Sequence, residues 1–203
     1  MDTFQSNSTI ILGITGPIGS GKSSVGKILE GHGWTNLEVD QIGHQMLLIP
    51  RICAQLAEQF GDRILNDSGE IKRHELGRLA FSSPAMLEKL DAIMHPPLRA
   101  ETRRIISSEK SRGTRGIALN AALLFKIGLD ALCDKIVYVN ADSGIRLERL
   151  VTIRGLPFDS AKGRLTFQDP RPNESPKILF CENNGSPEDL RNWVEAVLVS
   201  LVH

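Results

Sequence analysis

The stretch Gly16-Pro17-Ile18-Gly19-Ser20-Gly21-Lys22-Ser23 decides the fold, because it has the G-x-x-x-x-G-K-S spacing of a phosphate-binding P-loop. An apolar, β-type stretch, Thr9–Thr15, precedes it, and a helical stretch, Ser24–Glu30, follows it. This order of strand, loop and helix is the context in which the motif binds nucleotide phosphates. The alternative, a flexible Gly/Ser turn, does not require these flanking elements. The sequence therefore predicts a nucleotide-phosphate site.

Each residue type in this loop has a chemical reason to be there. Glycines allow the backbone to curl so that its N–H groups point inward at anionic oxygens, and the helix that begins near Gly21 adds its positive dipole end. Lys22 is predicted to reach the β- and γ-phosphates as a catalytic cation, and the Ser23 hydroxyl is predicted to ligate Mg²⁺. The predicted nucleotide-binding residues of the loop are Gly16, Ile18, Gly19, Ser20, Gly21, Lys22, Ser23 and Ser24.

Length and charge narrow the class of protein. The chain has 203 residues, of which 41% are hydrophobic, and this suits one α/β domain with a real core. Lys and Arg total 24, as do Asp and Glu, so the formal net charge is zero. A broad basic field for a polyanion is absent, and nucleic acid is therefore not expected as a partner.

The cysteines and the N-terminus favour a cytoplasmic protein. Cys53, Cys133 and Cys181 are scattered without a C-x-x-C pair, as is usual for idle thiols in a reducing compartment. Residues 1–8 are polar and lack a basic segment, and the apolar run behind them is too short for a signal peptide or a membrane span. We expect no membrane partner and a monomer or weak oligomer that acts on a small molecule.

Apolar, β-branched runs alternate with helical patterns, which predicts βα units around a parallel sheet. The predicted strands are Thr9–Thr15, Trp34–Val39, Gly116–Leu119, Lys135–Val139 and Lys177–Cys181. Three helices are predicted between the second and third strands, at Pro50–Phe60, Ala85–Ile93 and Pro97–Lys110. The fold class is therefore α/β, a P-loop nucleotide-kinase fold with a five-stranded parallel sheet flanked by helices. The predicted partition is a core (9–41, 114–145 and 177–203), a helical substrate-binding insertion (42–113) and a lid (146–176).

A P-loop alone does not separate motors, GTPases and small-molecule kinases. The short length, the lack of an N-K-x-D motif and a basic segment after the fourth strand favour a kinase. That segment contains Arg146, Arg149, Arg154, Lys162 and Arg164. Taken alone it is equally well a solvated helix face. Beside a P-loop it is interpreted as a mobile lid whose arginines offset charge on the transferred phosphoryl group.

Asp40 follows the second strand, where the carboxyl ends of a parallel sheet collect ligands. A carboxylate there can accept the proton of an attacking hydroxyl, and general bases of this kind contribute about 10²- to 10⁴-fold to a rate. The alternative is that Asp40 caps a helix over Gln41–Leu48, which is a common use of aspartate. Position alone leaves both interpretations open.

Several motifs in fixed order resemble the dephospho-coenzyme A kinase family over about residues 9–190. They are Thr15–Ser23, Glu38-Val39-Asp40-Gln41-Ile42, His95-Pro96-Pro97-Leu98-Arg99, Leu123-Leu124-Phe125, Ala161-x-x-Arg164-x-x-x-Gln168 and Glu182-Asn183-Asn184-Gly185-Ser186. The family carries T-G-G-I-G-S-G-K-S, D-A-D-x-I, H-P-x-x-R, P-L-L-F-E, A-x-x-R-x-x-x-Q and D-N-x-G-S in this order. The resemblance implies phosphorylation of the 3′-hydroxyl of dephospho-CoA, the last step of coenzyme A synthesis, with ATP and Mg²⁺ as cofactors.

The resemblance also implies roles for single residues. Asp40 matches the catalytic base, and Arg149 matches the first lid arginine and is expected to be catalytic. His95 and Arg99 fall in the substrate-binding region, where an arginine suits an acceptor phosphate. For His95 alone, a turn histidine before a proline is the commoner explanation. Asn183 is implied to lie near the adenine.

Several positions depart from the family pattern. Glu38 replaces the first Asp of D-A-D, His44 replaces an arginine, and Arg154 lies one position from the second lid arginine. Asn120 stands where relatives have an acidic residue, and Lys126 replaces the Glu of P-L-L-F-E. These departures predict a weak kinase in which Asn120→Asp and Lys126→Glu raise kcat/KM. The alternatives are another small-molecule P-loop kinase and an ATP-binding relative with weak or no catalysis.

Overall fold

A five-stranded, all-parallel sheet forms the centre of the computed structural model, which describes residues 9–165 and 171–202. The strands are β1 (Ile10–Thr15), β2 (Thr35–Glu38), β3 (Gly116–Asn120), β4 (Lys135–Asn140) and β5 (Ile178–Glu182). They lie in the order β2-β3-β1-β4-β5, so that β1 is central. All five predicted strands are present, and the predicted five-stranded parallel sheet is confirmed.

Helices connect the strands, as parallel pairing requires. They are α1 (Lys22–Gly31), α2 (Val39–Met46), α3 (Pro50–Phe60), α4 (Arg73–Ala80), α5 (Pro84–Ser111), α6 (Leu124–Ile127), α7 (Ser143–Thr152), α8 (Phe158–Arg164) and α9 (Pro187–Val202). Single 3₁₀ turns occupy Asp62–Ile64 and Asp130–Leu132. Before α9 the Ser186 N–H donates to Asp189 and the Asp189 N–H donates to the Ser186 hydroxyl, which is a reciprocal capping box.

Apolar side chains of the central strands pack against α1 and α9. Period-2 alternation does not apply to a sheet covered on both faces, and accordingly β1 and β3 are buried along nearly their whole length. The buried cluster contains Leu12, Ile14, Val25, Leu29, Ala118, Val137, Val139, Cys181, Leu190 and Val194. This core holds the carboxyl end of β1, and with it the start of the P-loop, in a fixed place.

The helical region between β2 and β3 differs from the prediction in two ways. The predicted helices Ala85–Ile93 and Pro97–Lys110 are one continuous helix, α5, which contains Pro96 and Pro97. A proline removes one backbone hydrogen bond but does not forbid a helix whose apolar face is packed, and Leu98 just beyond the prolines is buried. The additional helix α4 is not among the predicted helices, because its apolar face, formed by Leu76, Leu79 and Ala80, extends over only eight residues.

The chain divides into two compact units. One comprises the residues up to Glu38 together with those from Ile106 onward, and the other comprises Val39–Ile105. The first unit contains the whole sheet and the P-loop. The second is called the helical unit below, and it contains α2, α3, α4 and most of α5. The finer partition that the sequence predicts, with a separate lid at 146–176, stays a prediction.

Candidate active site

The P-loop leaves the end of β1 in a conformation that requires glycine. Gly16 has φ of 138° and Gly21 has φ of 104°, both in the region that side chains disfavour. A Cβ on Gly16 would collide with the Val139 carbonyl oxygen of the neighbouring strand, and a Cβ on Gly21 would collide with the Asn183 side chain. The loop therefore lies against β4 and against the residue that follows β5.

Polar groups of this loop are available to a phosphate. The N–H groups of Gly19, Gly21 and Ser23 donate no hydrogen bond to any residue that the structure describes. The Ser20 hydroxyl is buried and has no hydrogen-bond partner within the same described residues. Lys22 directs its Nζ back to the loop, where it donates to the carbonyl oxygens of Gly16 (2.8 Å) and Pro17 (3.0 Å). This donor set fits a bound phosphate chain.

Asn183 holds the P-loop in place through a side-chain hydrogen bond. Its side-chain Nδ2 donates to the Ser20 carbonyl at 2.8 Å, and its own backbone N–H donates to the Asn140 carbonyl at 2.8 Å. The side chain is 93% buried, since only 7% of the residue is exposed. The sequence resemblance implies that Asn183 lies near the adenine, and this role stays a prediction. Its observed contact is with the loop that is predicted to hold the phosphates.

Two arginines of α7 also contact this part of the site. Arg149 donates from Nη2 to the Asn183 carbonyl at 3.0 Å, and its Nη1 is buried without a hydrogen-bond partner among the described residues. Arg146 is buried and donates from Nε to the Ala141 carbonyl at 3.0 Å, while its own carbonyl lies against Gly19. Desolvation by burial lowers the pKa of Arg146 from its usual value.

Arg146 corrects the interpretation of the basic segment. The sequence groups it with mobile lid arginines, but the structure buries it beneath the P-loop. A signal for this was present, because Arg146 and the fully buried Leu150 are four residues apart and so share one face of α7. Arg154, in contrast, is exposed after the end of α7. The motif residue Gln168 lies outside the described residues.

The helical unit carries the predicted base. α2 begins at Val39, so Asp40 lies inside the first turn and is not the residue that precedes the helix. Its exposed carboxylate has no hydrogen-bond partner among the residues that the structure describes. The alternative role of Asp40 as the cap of a helix over Gln41–Leu48 is therefore wrong.

The predicted substrate-binding residues both lie on α5. His95 is helical and not part of a turn, and its Nε2 is 3.2 Å from Asp91 Oδ1, one turn earlier. Arg99 lies one turn later and is half-buried. Its guanidinium makes no hydrogen bond or ion pair with a described residue. The histidine is thus fixed by a local partner, and the arginine is available to an anion.

The position that departs most from the family pattern is paired in the structure. Asn120 is 96% buried, and its Nδ2 donates to Glu38 Oε1 at 2.9 Å. An aspartate at position 120 would place its carboxylate beside that of Glu38, and the two negative charges would repel each other. This argues against the expectation that Asn120→Asp raises kcat/KM. Lys126 is exposed on the single turn of α6.

Other kinds of site are not visible in the described part of the chain. Residues 9–165 and 171–202 contain no group of three or more His, Cys, Asp or Glu side chains that could by themselves hold a metal ion. None of the described helices has the length and apolar character that crossing a bilayer requires. The three cysteines are free, and burial raises the pKa of Cys133 to about 12 and that of Cys181 to about 11.

Comparison with known proteins agrees with this arrangement. The sequence profile of the family described as dephospho-CoA kinase matches residues 10–186. The chain belongs to the dephospho-CoA kinase family. A dephospho-CoA kinase of Corynebacterium diphtheriae is 35% identical over 89% of this chain and 90% of its own length. A dephospho-CoA kinase of Geobacillus kaustophilus is 32% identical over 94% of this chain and 96% of its own length.

Solved structures share the fold. The protein TT1252 from Thermus thermophilus superimposes with a TM-score of 0.74 at 31% identity, over 95% of this chain and 98% of that one. A dephospho-CoA kinase from Campylobacter jejuni has a TM-score of 0.64 at 20% identity, over 94% and 96%. The predicted enzyme class is confirmed: the chain is a kinase of coenzyme A biosynthesis, and the family's activity implies the use of ATP.

Proposed function

We propose that this chain transfers the γ-phosphoryl group of ATP to the 3′-hydroxyl of dephospho-CoA, giving coenzyme A and ADP. The observation that carries the proposal is the P-loop, where the N–H groups of Gly19, Gly21 and Ser23 and the buried Ser20 hydroxyl lack hydrogen-bond partners among the described residues. In the transfer a bond forms between the 3′-oxygen and the γ-phosphorus, and the bond from that phosphorus to the β,γ-bridging oxygen breaks. The hydroxyl proton passes to the Asp40 carboxylate.

The P-loop residues and the arginines of α7 are proposed to bind the nucleotide. Lys22 neutralises charge on the β- and γ-phosphates, which requires its Nζ to exchange the carbonyls of Gly16 and Pro17 for phosphate oxygens. Arg149 has a guanidinium nitrogen without a partner in the described chain, and it offsets charge on the transferred group.

Mg²⁺ fits this site as an ion whose ligands come from both the nucleotide and the protein. Mg²⁺ usually keeps several water ligands and binds through phosphates and one or two protein groups, so a dedicated protein cage is not needed. The hydroxyl of Ser23, in the exposed first turn of α1, is the proposed protein ligand. When bound, the ion supplies positive charge that screens the phosphates.

Groups on the helical unit are proposed to act on the acceptor. Asp40 is exposed and has no described partner, which leaves its carboxylate able to accept a proton. Arg99 is likewise available to bind an anion, and it suits the pyrophosphate of dephospho-CoA because a guanidinium forms bidentate hydrogen bonds with phosphate. His95, held by Asp91, is proposed to contact the same substrate.

The test is the release of ADP, measured with a coupled assay in the presence and absence of dephospho-CoA. We expect ADP release to depend on dephospho-CoA and the product to be coenzyme A, identified by its mass. A panel of other hydroxyl and phosphate acceptors, assayed with the same ATP, provides the control. Faster turnover on any of these, or nucleotide binding without turnover on all of them, would contradict the proposal.

The compartment is a further part of the proposal. We infer that the enzyme works in the cytoplasm, which is supported by the three free cysteines of the chain. The oligomeric state, expected to be a monomer or weak oligomer, is tested by light scattering of the purified protein.

A further inference from the structure

At the carboxyl ends of β2 and β3, one carboxylate is held by two amides. Glu38 Oε1 accepts hydrogen bonds from Asn120 Nδ2 at 2.9 Å and from Asn36 Nδ2 at 3.2 Å. Glu38 is half-buried, and Asn120 is almost completely buried. The second oxygen of Glu38, Oε2, accepts no hydrogen bond from the residues that the structure describes. The amides therefore fix the orientation of the carboxylate and leave one oxygen available.

This carboxylate lies at the edge of the sheet from which the P-loop departs. In the register of the sheet, Asn120 is paired with Glu38 on β2 and with Ile14 on β1. Ile14 is two residues before Gly16, and its carbonyl accepts the N–H of Ala121. Two strand spacings of about 4.8 Å separate β2 from β1. An ion on the nucleotide phosphates is thus within reach of Glu38 through an intervening water.

A comparison inside the same sheet shows what is unusual about Glu38. β4 and β5 end in a similar pair, in which Asn140 Nδ2 donates to Glu182 Oε2 at 2.8 Å. Glu182 also pairs with Arg171 at 3.0 Å, so that its charge is balanced by a cation of the chain. Glu38 has no such cation among the described residues.

A purely structural bond between two strand ends does not need a charge. A glutamine could accept the same hydrogen bonds without the cost of desolvating a carboxylate. The half-buried charge of Glu38 is therefore unexplained by the contacts that surround it. A cation that arrives with the nucleotide would balance it, as Arg171 balances Glu182.

We propose that Glu38 is the acidic residue that holds Mg²⁺ in the nucleotide complex, through water ligands of the ion. Asn120 and Asn36 are positioning residues that orient its carboxylate. The inference rests on the proposed function, because the ion is brought by ATP. It places on β2 an acidic group of the kind that the family pattern has at position 120 on β3.

The first experiment replaces Glu38 by glutamine, which keeps the acceptor oxygen and removes the charge. Mn²⁺ binding is measured by electron paramagnetic resonance on the full chain with a saturating, non-hydrolysable ATP analogue, and against the analogue alone. We expect the dissociation constant of Mn²⁺ from the ternary complex to rise about tenfold or more. The matched control is Glu182→Gln, which should leave Mn²⁺ binding unchanged.

The outcomes separate this inference from the proposed function. If the wild-type protein binds Mn²⁺ and analogue, and Glu38→Gln binds Mn²⁺ equally tightly, the role of Glu38 is wrong and the kinase proposal stands. If the wild-type protein binds no nucleotide, both fall. Metal-free binding of the analogue to Glu38→Gln should match the wild type, and a large loss there would mean that Glu38 acts on the loop instead of the ion.

The second experiment measures metal-dependent stability in the presence of the same ATP analogue. Asn120→Asp brings two carboxylates together, so with the analogue in the chelator EDTA its melting temperature should fall below that of the wild type, and millimolar Mn²⁺ or Mg²⁺ should narrow that difference. Asn140→Asp makes the same change beside Glu182, where Arg171 already supplies a cation. We expect no metal-dependent recovery there. If metal and analogue together do not narrow the difference between Asn120→Asp and the wild type, no ion brought with the nucleotide reaches Glu38, and the proposal is overturned.

Discussion

The P-loop side and the helical unit hold their polar site groups in different ways. Around the P-loop, hydrogen bonds join distant parts of the chain: Asn183 donates to Ser20, 163 residues earlier, and Arg149 donates to Asn183. In the helical unit, contacts are local, such as those between His95 and Asp91. In the same unit, the Asp40 carboxylate makes no hydrogen bond or ion pair with any residue that the structure describes.

Single-residue substitutions should therefore have different effects in the two regions. A change at a buried group of the P-loop side, such as Asn183, should affect nucleotide binding and stability together. A change at an exposed group of the helical unit should affect turnover alone. Four predictions test this contrast, beginning with the largest expected effect.

Lys22→Ala should abolish transfer, with a loss in kcat of about 10³-fold or more, since the loop then lacks its cation for the phosphates. The melting temperature should change little, because the ammonium donates to the carbonyls of Gly16 and Pro17 within the same partly exposed loop. The control is Lys27→Ala, an exposed lysine on the same helix. Near-normal turnover of the purified Lys22→Ala protein would contradict the kinase site.

Asp40→Asn should lower kcat by about 10²-fold or more while the melting temperature and ATP affinity stay the same. The amide is nearly isosteric, and the carboxylate that it replaces has no described partner to lose. Asp67→Asn, at an exposed turn, is the matched control. Retained activity would exclude Asp40 as the base, and a large loss of stability would show that the contrast between the two regions is wrong.

Asn183→Asp should weaken ATP binding about tenfold and lower the free energy of unfolding by about 1–3 kcal/mol, because the buried Ser20 carbonyl loses its donor. Calorimetry and chemical denaturation measure the two effects. Asn184→Asp is the matched control: the Asn184 side chain accepts from the Asp142 N–H, and an aspartate still accepts. Equal effects of the two substitutions would contradict the assigned donor role.

The smallest expected effect compares two glutamates of α5. Hydrogen bonds from Thr114 and Thr35 hold the pKa of Glu109 below its usual value, whereas a bond from the nearby Arg104 does so for Glu101. A lowered folded-state pKa stabilises the protein above the unfolded value of about 4.3, and this stability is lost as the pH falls through the folded value. Glu109→Gln should therefore cost roughly 1 kcal/mol at pH 7 and less near pH 3.

Glu101→Gln provides the comparison, because its arginine partner is exposed and three residues away. We expect a smaller loss of stability at neutral pH for Glu101→Gln than for Glu109→Gln, since Thr35 lies 74 residues from Glu109 and ties β2 to α5. Urea titrations at pH 7, 5 and 3 measure both. Equal losses would mean that the long-range bonds of Glu109 add nothing beyond a local pair.

Residue spacing and residue type predict the structure wherever neighbouring residues determine the conformation of the backbone. The P-loop motif and the five strands are predicted from spacing and residue type, because the motif has a fixed local spacing and the strands are apolar β-branched runs. The same rules failed at Pro96-Pro97, where burial of one face of α5 outweighed the missing hydrogen bonds. Similarity suggests Asp40 as the base, and this stays a proposal, but only the start of α2 at Val39 excludes the capping role.

The sequence by itself determined that a P-loop motif follows the first strand, and it indicated the kinase family to which the chain belongs. Only the tertiary structure decided which side chains support that loop. The strand order β2-β3-β1-β4-β5 brings Asn183 beneath Ser20 and pairs Asn120 with Glu38, 82 residues earlier. Such contacts depend on which strands become neighbours, and that choice is made by burial of the whole core and not by any local stretch of residues.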